Sequence, residues 1–138
     1  MAKESGLGLT VTVDDVGGTA RAISNDVTSC SFSIPSAVQD ITGVNVSAFE
    51  RLLLLADLTL TLNGVFNDAA STGQYTVLFA IRSLFAGEVG RTTAIAVSGQ
   101  TLSDEVLYTE LAYTRAMTGE LTWSAPAMLS DGGVPAWA

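Results

Sequence analysis

Histidine is absent from this chain of 138 residues, and only six basic and fourteen acidic side chains carry charge. Without histidine, the Ser-His-Asp and Cys-His catalytic arrangements are excluded, and the commonest general base and metal ligand are both missing. Charged residues make up 14% of the chain, compared with about 25% in an ordinary soluble domain. A surface so poor in charge is unsuited to remaining alone in water, which favours self-assembly over catalysis.

Cysteine and long apolar runs are equally scarce. Cys30 is the single cysteine, which excludes an internal disulfide and fits a reducing compartment. No apolar run exceeds five residues, so the sequence predicts no membrane span and no membrane partner. Glu4 and the lack of an apolar stretch behind Lys3 argue against a secretory signal. We therefore expect a chain made in a cytoplasm and folded as one domain over residues 1–138.

The charge that is present is mostly negative, with a formal net charge of −8 at pH 7. Tight binding to nucleic acid requires clustered Lys and Arg side chains that neutralise several phosphates together. The basic residues are instead scattered, and they are Lys3, Arg21, Arg51, Arg82, Arg91 and Arg115. The composition therefore predicts a protein that repels DNA.

Candidate sites among the remaining reactive residues are weak. Cys30 shares an alternating apolar face with Phe32 and Ile34, which predicts a buried and inert thiol. The adjacent pair Asp14-Asp15 could bind a cation in its turn, but we favour a solvated hairpin tip. The pair Asp104-Glu105 lies on a predicted strand, so its side chains point to opposite faces.

The aromatic and glycine-rich candidates lead to the same result. Trp123 and Trp137 could form a platform for a sugar or base, but such residues are more often core or interface anchors. Gly17-Gly18 lacks the Lys and the helix that follow a phosphate-binding loop. The sequence therefore predicts no enzyme, with no catalytic, cofactor-binding or metal-binding residue.

Alternation of apolar and polar residues predicts about seven strands. The 29 Ser and Thr residues supply much of the polar half of these patterns. The predicted strands cover residues 7–13, 19–23, 29–34, 58–66, 92–97, 101–116 and 121–127, with a bulge near Thr109-Glu110 where the alternation changes phase. The fold class is therefore mainly β (α+β), an antiparallel β-sandwich or barrel with one or two short helices.

Two helices are predicted. The sequence Ser47-Ala-Phe-Glu50 matches a capping box and predicts a short helix that runs through Arg51 to Leu55. Residues 75–85 fit either a helical or a strand pattern, and we interpret them as a second helix.

From Asp40 onwards the chain resembles the tail tube (major tail) proteins of long-tailed bacteriophages. The resemblance covers roughly two thirds of the chain and is a pattern of strands, helix and glycines. The similar stretches are Asp40-Ile-Thr-Gly43, Arg51-Leu-Leu-Leu-Leu-Ala-Asp57, Leu58-Thr-Leu-Thr-Leu-Asn-Gly-Val-Phe-Asn67, Thr118-Gly-Glu-Leu-Thr-Trp123 and Gly133-Val-Pro-Ala-Trp137.

The resemblance implies a structural virion protein that forms rings, usually of six subunits, stacked into a tube around a DNA channel. Each subunit would lend strands to a barrel that is completed across subunits. The tape measure protein and the genome would pass through the lumen without specific binding, and tail terminator and baseplate proteins would cap the ends. The alternative is another non-enzymatic phage structural protein, such as a head-decoration, head–tail joining or receptor-binding module.

The N-terminal segment Met1 to Gly6 is polar and precedes the first alternating residue, so it can add little to a core. Extended backbone added to a neighbour's strand edge is a common mode of docking. We therefore expect this segment to join successive rings.

Overall fold

The structure is a computed structural model that describes residue 3 and residues 5–138. The ten strands within this part of the chain are β1 (Thr10–Asp14), β2 (Ala20–Ala22), β3 (Val27–Ser33), β4 (Ser36–Asp40), β5 (Arg51–Ala56), β6 (Thr59–Val65), β7 (Arg91–Val97), β8 (Gln100–Tyr108), β9 (Ala112–Arg115) and β10 (Leu121–Leu129). A 3-10 turn spans Ser24–Asp26, and one α-helix, α1, spans Gln74–Leu78. No helix in the described residues is long and apolar enough to cross a membrane.

Eight of the strands form one antiparallel sheet in the order β2-β1-β7-β8-β10-β6-β3, with β9 also paired to β10. Among the described strands, β4 and β5 pair only with each other. The predicted class, mainly β with antiparallel strands and a short helix, is therefore confirmed. The sheet is not closed into a barrel, because β2 and β3 form its two edges.

The core lies on one face of this sheet. Alternate residues of β1, β6, β8 and β10 are buried there together with two residues of α1, and the largest contributors include Val11, Leu62, Leu78, Val106 and Trp123. Because β1 lies near one edge of the sheet and β6 near the other, their shared cluster requires the sheet to curl around its core. Trp123 donates from Nε1 to the Val65 carbonyl at 2.9 Å, which confirms it as a core anchor.

Gly64 is required where the 3-10 turn crosses β6. A Cβ atom at this position would lie 1.8 Å from the carbonyl oxygen of Asp26, far inside van der Waals contact. At Asn63-Gly64 the backbone of β6 therefore lies close to the backbone of the 3-10 turn. These two residues do not form a hairpin turn, because β6 continues past them, as the predicted strand does. The Asp26 carboxylate beside it accepts from the Asn67 side chain at 2.9 Å and from the Gln74 amide at 3.0 Å, which fixes the start of α1.

A buried arginine holds the other end of α1. Arg91, at the start of β7, is 2% exposed. Its guanidinium donates to the carbonyls of Val77 at 2.6 Å, Ala80 at 2.5 Å and Ser83 at 3.3 Å. Burial lowers the pKa of Arg91 from its usual value. The side chain thus satisfies the carbonyls at the end of a helix that is only five residues long.

The change of phase near Thr109 interrupts the predicted long strand, which is split into β8 and β9. Both pieces pair with β10, at Ala127–Leu129 and at Leu121–Ser124 respectively. The interruption lies where the alternation predicted a bulge, but three residues leave the ladder there and strand pairing resumes afterwards.

The C-terminal residues are fixed to the body of the protein. Ala138 and Thr101 exchange two backbone hydrogen bonds of 2.9 Å. The Trp137 ring packs on Phe32 with 5.8 Å between ring centroids, and Pro135 is buried. Trp137 is therefore the aromatic anchor that the sequence predicts for this tail.

The helix predicted from the Ser47-Ala-Phe-Glu50 capping box is wrong. Residues 47–50 belong to a loop, and Arg51 to Leu55 lie in strand β5. Pairing of Leu52 with Gln39 and of Leu53 with Val38 overrides the local capping signal. The second predicted helix exists, but α1 ends at Leu78 and turns replace the remainder through residue 82.

We expect Arg91→Met to destabilise the subunit by about 3 kcal/mol, because it leaves the buried Val77 carbonyl and the carbonyls of Ala80 and Ser83 without their charged donor. Urea unfolding of dilute protein measures this. The matched control is Arg115→Met, which removes an exposed arginine and should change stability by less than about 0.5 kcal/mol. Equal effects of the two substitutions would contradict the role assigned to Arg91.

Candidate assembly surface

Strands β3 and β6 continue beyond the sheet as β4 and β5. The pair Ser33 and Thr59 is the last rung inside the sheet, and Ser36 pairs with Ala56 immediately beyond it. Pro35 lies between the two rungs, and its carbonyl accepts from the Asp57 amide at 2.8 Å. We call residues 34–57 the arm, a two-stranded ribbon rooted in the core strands and pairing with no other part of the described sheet.

The arm carries an unusual concentration of exposed apolar side chains. Ten of the large apolar residues exposed in the described chain lie within it, and they are Ile34, Val38, Ile41, Val44, Val46, Phe49, Leu52, Leu53, Leu54 and Leu55. Leu53 is 76% exposed and Leu55 is 86% exposed. Contiguous exposed apolar surface of this kind marks a site of protein interaction. The sequence analysis interpreted Leu52–Leu55 as part of a helix, although four consecutive leucines have neither helical nor alternating period and could have indicated this surface.

Hydrogen bonds organise the loop at the tip of the arm. The Thr42 amide donates to the Asp40 carboxylate at 2.9 Å, and the Thr42 hydroxyl donates to the same oxygen at 2.5 Å. The Glu50 amide donates to the Thr42 hydroxyl at 2.8 Å, and the Ile41 amide donates to the Glu50 carbonyl at 2.9 Å. These bonds from Thr42 lower the pKa of Asp40. The loop at the tip therefore has a defined conformation within the single subunit.

The Arg51 guanidinium lies over the ring of Phe49 at the same tip, 4.7 Å from the ring centroid. A cation–π contact of this length holds an exposed aromatic ring in one orientation.

The face of the sheet opposite the core carries many hydroxyl and amide groups, together with the exposed apolar side chains of Val65, Leu107 and Met128. The strand registers place on it Thr10, Thr12, Ser29, Ser31, Ser33, Thr59, Thr61, Asn63, Thr92, Thr101, Ser103, Thr114, Thr122 and Ser124. We call it the hydroxyl face. Within the eight-stranded sheet the three arginines have the opposite parity, since Arg21 pairs with Val13, Arg91 with Val106 and Arg115 with Leu121. Arg51 lies in the arm.

The ionisable groups of the hydroxyl face are the carboxylates of Asp14 and Glu105, with Glu88 beside them. Thr92 donates to Glu105 at 3.2 Å. Burial raises the pKa of Asp14, with hydrogen bonds from Thr92 acting in the opposite direction. A hydrogen bond to Glu105, followed by charge repulsion from it, raises the pKa of Glu88. Acidic side chains are therefore clustered at this end of the hydroxyl face.

The sequence-predicted candidates are not brought together into one site. Cys30 was predicted to be buried, which is wrong, because it is partly exposed where it packs against the edge of the core. Partial burial raises the pKa of its thiol. Asp104 and Glu105 point to opposite faces as predicted, since they pair with Thr93 and Thr92 respectively.

Asp15 has an internal role in the first hairpin turn. Its carboxylate accepts from the amides of Gly17 and Thr19 at 2.9 and 3.0 Å, and from Arg21 at 3.0 Å. The bond from the Thr19 amide is the main reason that the pKa of Asp15 is lowered. Within residue 3 and residues 5–138, no three metal-ligating side chains form a group able to hold a metal ion.

Two chains from solved gene transfer agent (GTA) particles share this fold. One belongs to the virion of a native GTA particle, with a TM-score of 0.72, 18% identity and 99% of each chain covered. The other belongs to the tail of an empty GTA particle with C6 symmetry, with a TM-score of 0.72, 20% identity and coverage of 99% of this chain and 98% of that one. No protein-family profile and no curated protein sequence matches the chain.

The alignment spans nearly the whole of each chain. At these identities the likeness establishes the fold alone.

We expect Glu88→Gln to raise the melting temperature of the dilute subunit at pH 7.5. The pKa of Glu88 is raised in the folded state, so folding stability is lost as the pH rises through that pKa. Glutamine removes the repulsion from Glu105 at neutral pH. Near pH 4, where the carboxyl is largely protonated in both states, the two proteins should melt at similar temperatures.

The control is Glu110→Gln, which removes another exposed carboxylate. It should leave the melting temperature nearly unchanged across this pH range. A gain for Glu88→Gln that persisted at pH 4 would contradict the electrostatic explanation.

Proposed function

We propose that this chain is the structural subunit of a phage-like tail tube, a non-enzymatic protein located in the tail of a virion. In this proposal one domain, residues 1–138, forms rings of six copies that stack into a tube. The observation that carries the proposal is the arm, whose exposed apolar residues need a partner surface. The whole-length likeness to chains of a GTA virion and of a C6-symmetric GTA tail supports it.

The hydroxyl face is proposed to line the lumen of the tube. Its Ser, Thr and Asn side chains are polar without positive charge, and its carboxylates are Asp14 and Glu105. Phosphate binding depends on Lys and Arg, so such a surface would let DNA and a tape measure protein pass without retention. Tail terminator and baseplate proteins would close the two ends.

Open sheet edges support closure through neighbouring subunits. The edge strand β3 is seven residues long and contains no charged residue or proline, although isolated edges are normally protected by such residues. Pairing of this edge with a strand of the adjacent subunit would join the six sheets into one barrel across subunits. The N-terminal segment remains a proposed contact between rings; Met1, Ala2 and Glu4 lie outside the described residues.

Electron microscopy of the purified protein tests the proposal directly. We expect rings and tubes, because the arm cannot be covered within one subunit. Dispersed monomers or trimers would overturn it and would favour the alternative of a decoration, joining or receptor-binding module.

A second expectation concerns DNA. With a net charge of −8 and no arginine on the hydroxyl face, the protein should not retain duplex DNA in a gel-shift assay, even at low salt. A stable shifted complex would be incompatible with the proposed lumen. A basic DNA-binding protein run in parallel serves as the positive control.

A further inference from the structure

The chain segment that joins α1 to β7 is fixed at both of its ends. The Arg91 guanidinium donates to the Ser83 carbonyl at 3.3 Å, which holds the start of the segment. Gly90 at its end is buried, and a Cβ atom there would lie 2.8 Å from the carbonyl oxygen of Val106. We call the residues between these two points, 84–89, the flap. Because its ends are held, any movement of the flap takes place between Ser83 and Gly90.

The flap is built around one tight turn. The Glu88 amide donates to the Phe85 carbonyl at 3.0 Å, and Gly87 between them has a φ of 88°, a conformation that favours glycine. The Phe85 ring lies against the first hairpin turn, since a Cβ atom at Gly18 would be 3.1 Å from the Phe85 Cγ atom. This packing attaches the flap to the end of the sheet.

Glu105 of β8 provides a second attachment, and its two carboxylate oxygens differ. Oε1 accepts from the Thr92 hydroxyl at 3.2 Å. Oε2 is shielded from solvent, and no donor in the described part of the chain reaches it. A buried acceptor without a donor is costly. The Glu88 carboxyl is hydrogen-bonded to the Glu105 carboxyl, and a carboxyl group can donate only when it is protonated.

We propose that the flap is closed by a proton on the Glu88 carboxyl, donated to Glu105 Oε2, and opens when that proton is lost. We call this hydrogen bond the latch. Once Glu88 is ionised, two carboxylates face each other with no donor between them, and the flap lifts so that water reaches Oε2. The Phe85 and Val89 side chains are 52% and 54% exposed and move with the flap. The pH therefore sets where this end of the sheet presents an apolar pair.

The charges that surround the latch favour the proton. Those that act on Glu88 belong to Glu105 and to Asp14 at the end of β1, and both are negative. The hydrogen bond to Glu105, followed by repulsion from it, raises the pKa of Glu88. Because this pKa is raised in the folded state, the latch stabilises the closed flap at acidic pH. That contribution is lost as the pH rises through the pKa of folded Glu88.

The other charged groups of the neighbouring elements are engaged or directed elsewhere. Asp15 accepts from Arg21 at 3.0 Å within the first hairpin. The Arg91 guanidinium is bonded to carbonyls at the end of α1, and Asp104 of β8 points to the opposite face of the sheet. Arg82 precedes the fixed start of the segment and is exposed. A proton is therefore the positive charge that closes the latch.

Substitutions at the two carboxyl groups separate the donor from the charge. Glu88→Gln removes the charge and supplies a permanent N–H donor, so the flap should stay closed at pH 7.5. Glu88→Met is matched in length and also removes the charge but supplies no donor, so the flap should stay open. Glu105→Gln reverses the direction of the bond, because its amide can donate to ionised Glu88 while its oxygen accepts from Thr92. It should also stay closed at pH 7.5.

Hydrogen–deuterium exchange of residues 84–91, measured by mass spectrometry in the presence of a chelator, reads the state of the flap. The rates are expressed as protection factors, which remove the intrinsic pH dependence of exchange. For the wild type we expect about tenfold greater protection at pH 4 than at pH 7.5, the ratio that one hydrogen bond to a charged group supports. The exposed turn at residues 117–119 is the internal control and should be equally protected at both pH values.

Equal protection of the wild-type flap at the two pH values would overturn the latch. Equal protection of the flap in Glu88→Gln and Glu88→Met at pH 7.5 would also overturn it, because loss of repulsion would then be sufficient. The latch lies within one subunit and does not depend on tube formation. A wild-type chain that forms no tubes would overturn the proposed function, while the exchange measurement would still decide the latch.

Discussion

The shared ribbon formed by β3–β4 and β5–β6 is the constraint on which the rest of the structure depends. One half of it belongs to the core, where Leu58, Leu60 and Leu62 are buried, and the other half is the uncovered arm. The carbonyl of Pro35 and the amide of Asp57 join the two halves across the ribbon. Since both strands pass through this point, folding of the core sets the direction in which the arm projects.

The needs of the two faces of the sheet, taken one at a time, explain why the chain contains so few charged residues. The core face requires apolar residues, and the opposite face obtains its polarity from hydroxyl groups, some of which pair with each other, as Ser33 does with Thr59 at 3.0 Å. Hydroxyls keep a β-surface hydrated without attracting phosphate or counter-ions. Among the carboxylates at this face, burial raises the pKa of Asp14, and a hydrogen bond to Glu105 together with repulsion from it raises the pKa of Glu88.

The sequence predicted the strands well because a half-buried strand has a local signature, and β1, β3, β6, β7 and β10 all alternate. It failed at residues 47–55, where a good capping box precedes four leucines. What decides that segment is pairing with β4, a long-range interaction that no local pattern contains. The sequence indicated the split between β8 and β9 as a change in the phase of the alternation. It did not indicate that three residues would separate the two strands. The assembly surface was missed for a further reason: exposed leucines are interpreted as core when a sequence is considered as one isolated subunit.

Preorganisation connects the arm to its proposed role. Ordering a flexible loop on association costs conformational entropy that the interface must offset. In this chain Thr42 bonds to both Asp40 and Glu50, and Arg51 holds the Phe49 ring, so much of that ordering is complete within the subunit. A contact between an arm and a different surface of the next copy is heterologous, and heterologous contacts propagate into rings or open filaments. The rotation between neighbours decides between these outcomes, and a rigid arm rooted in the core fixes that rotation where a mobile arm could not.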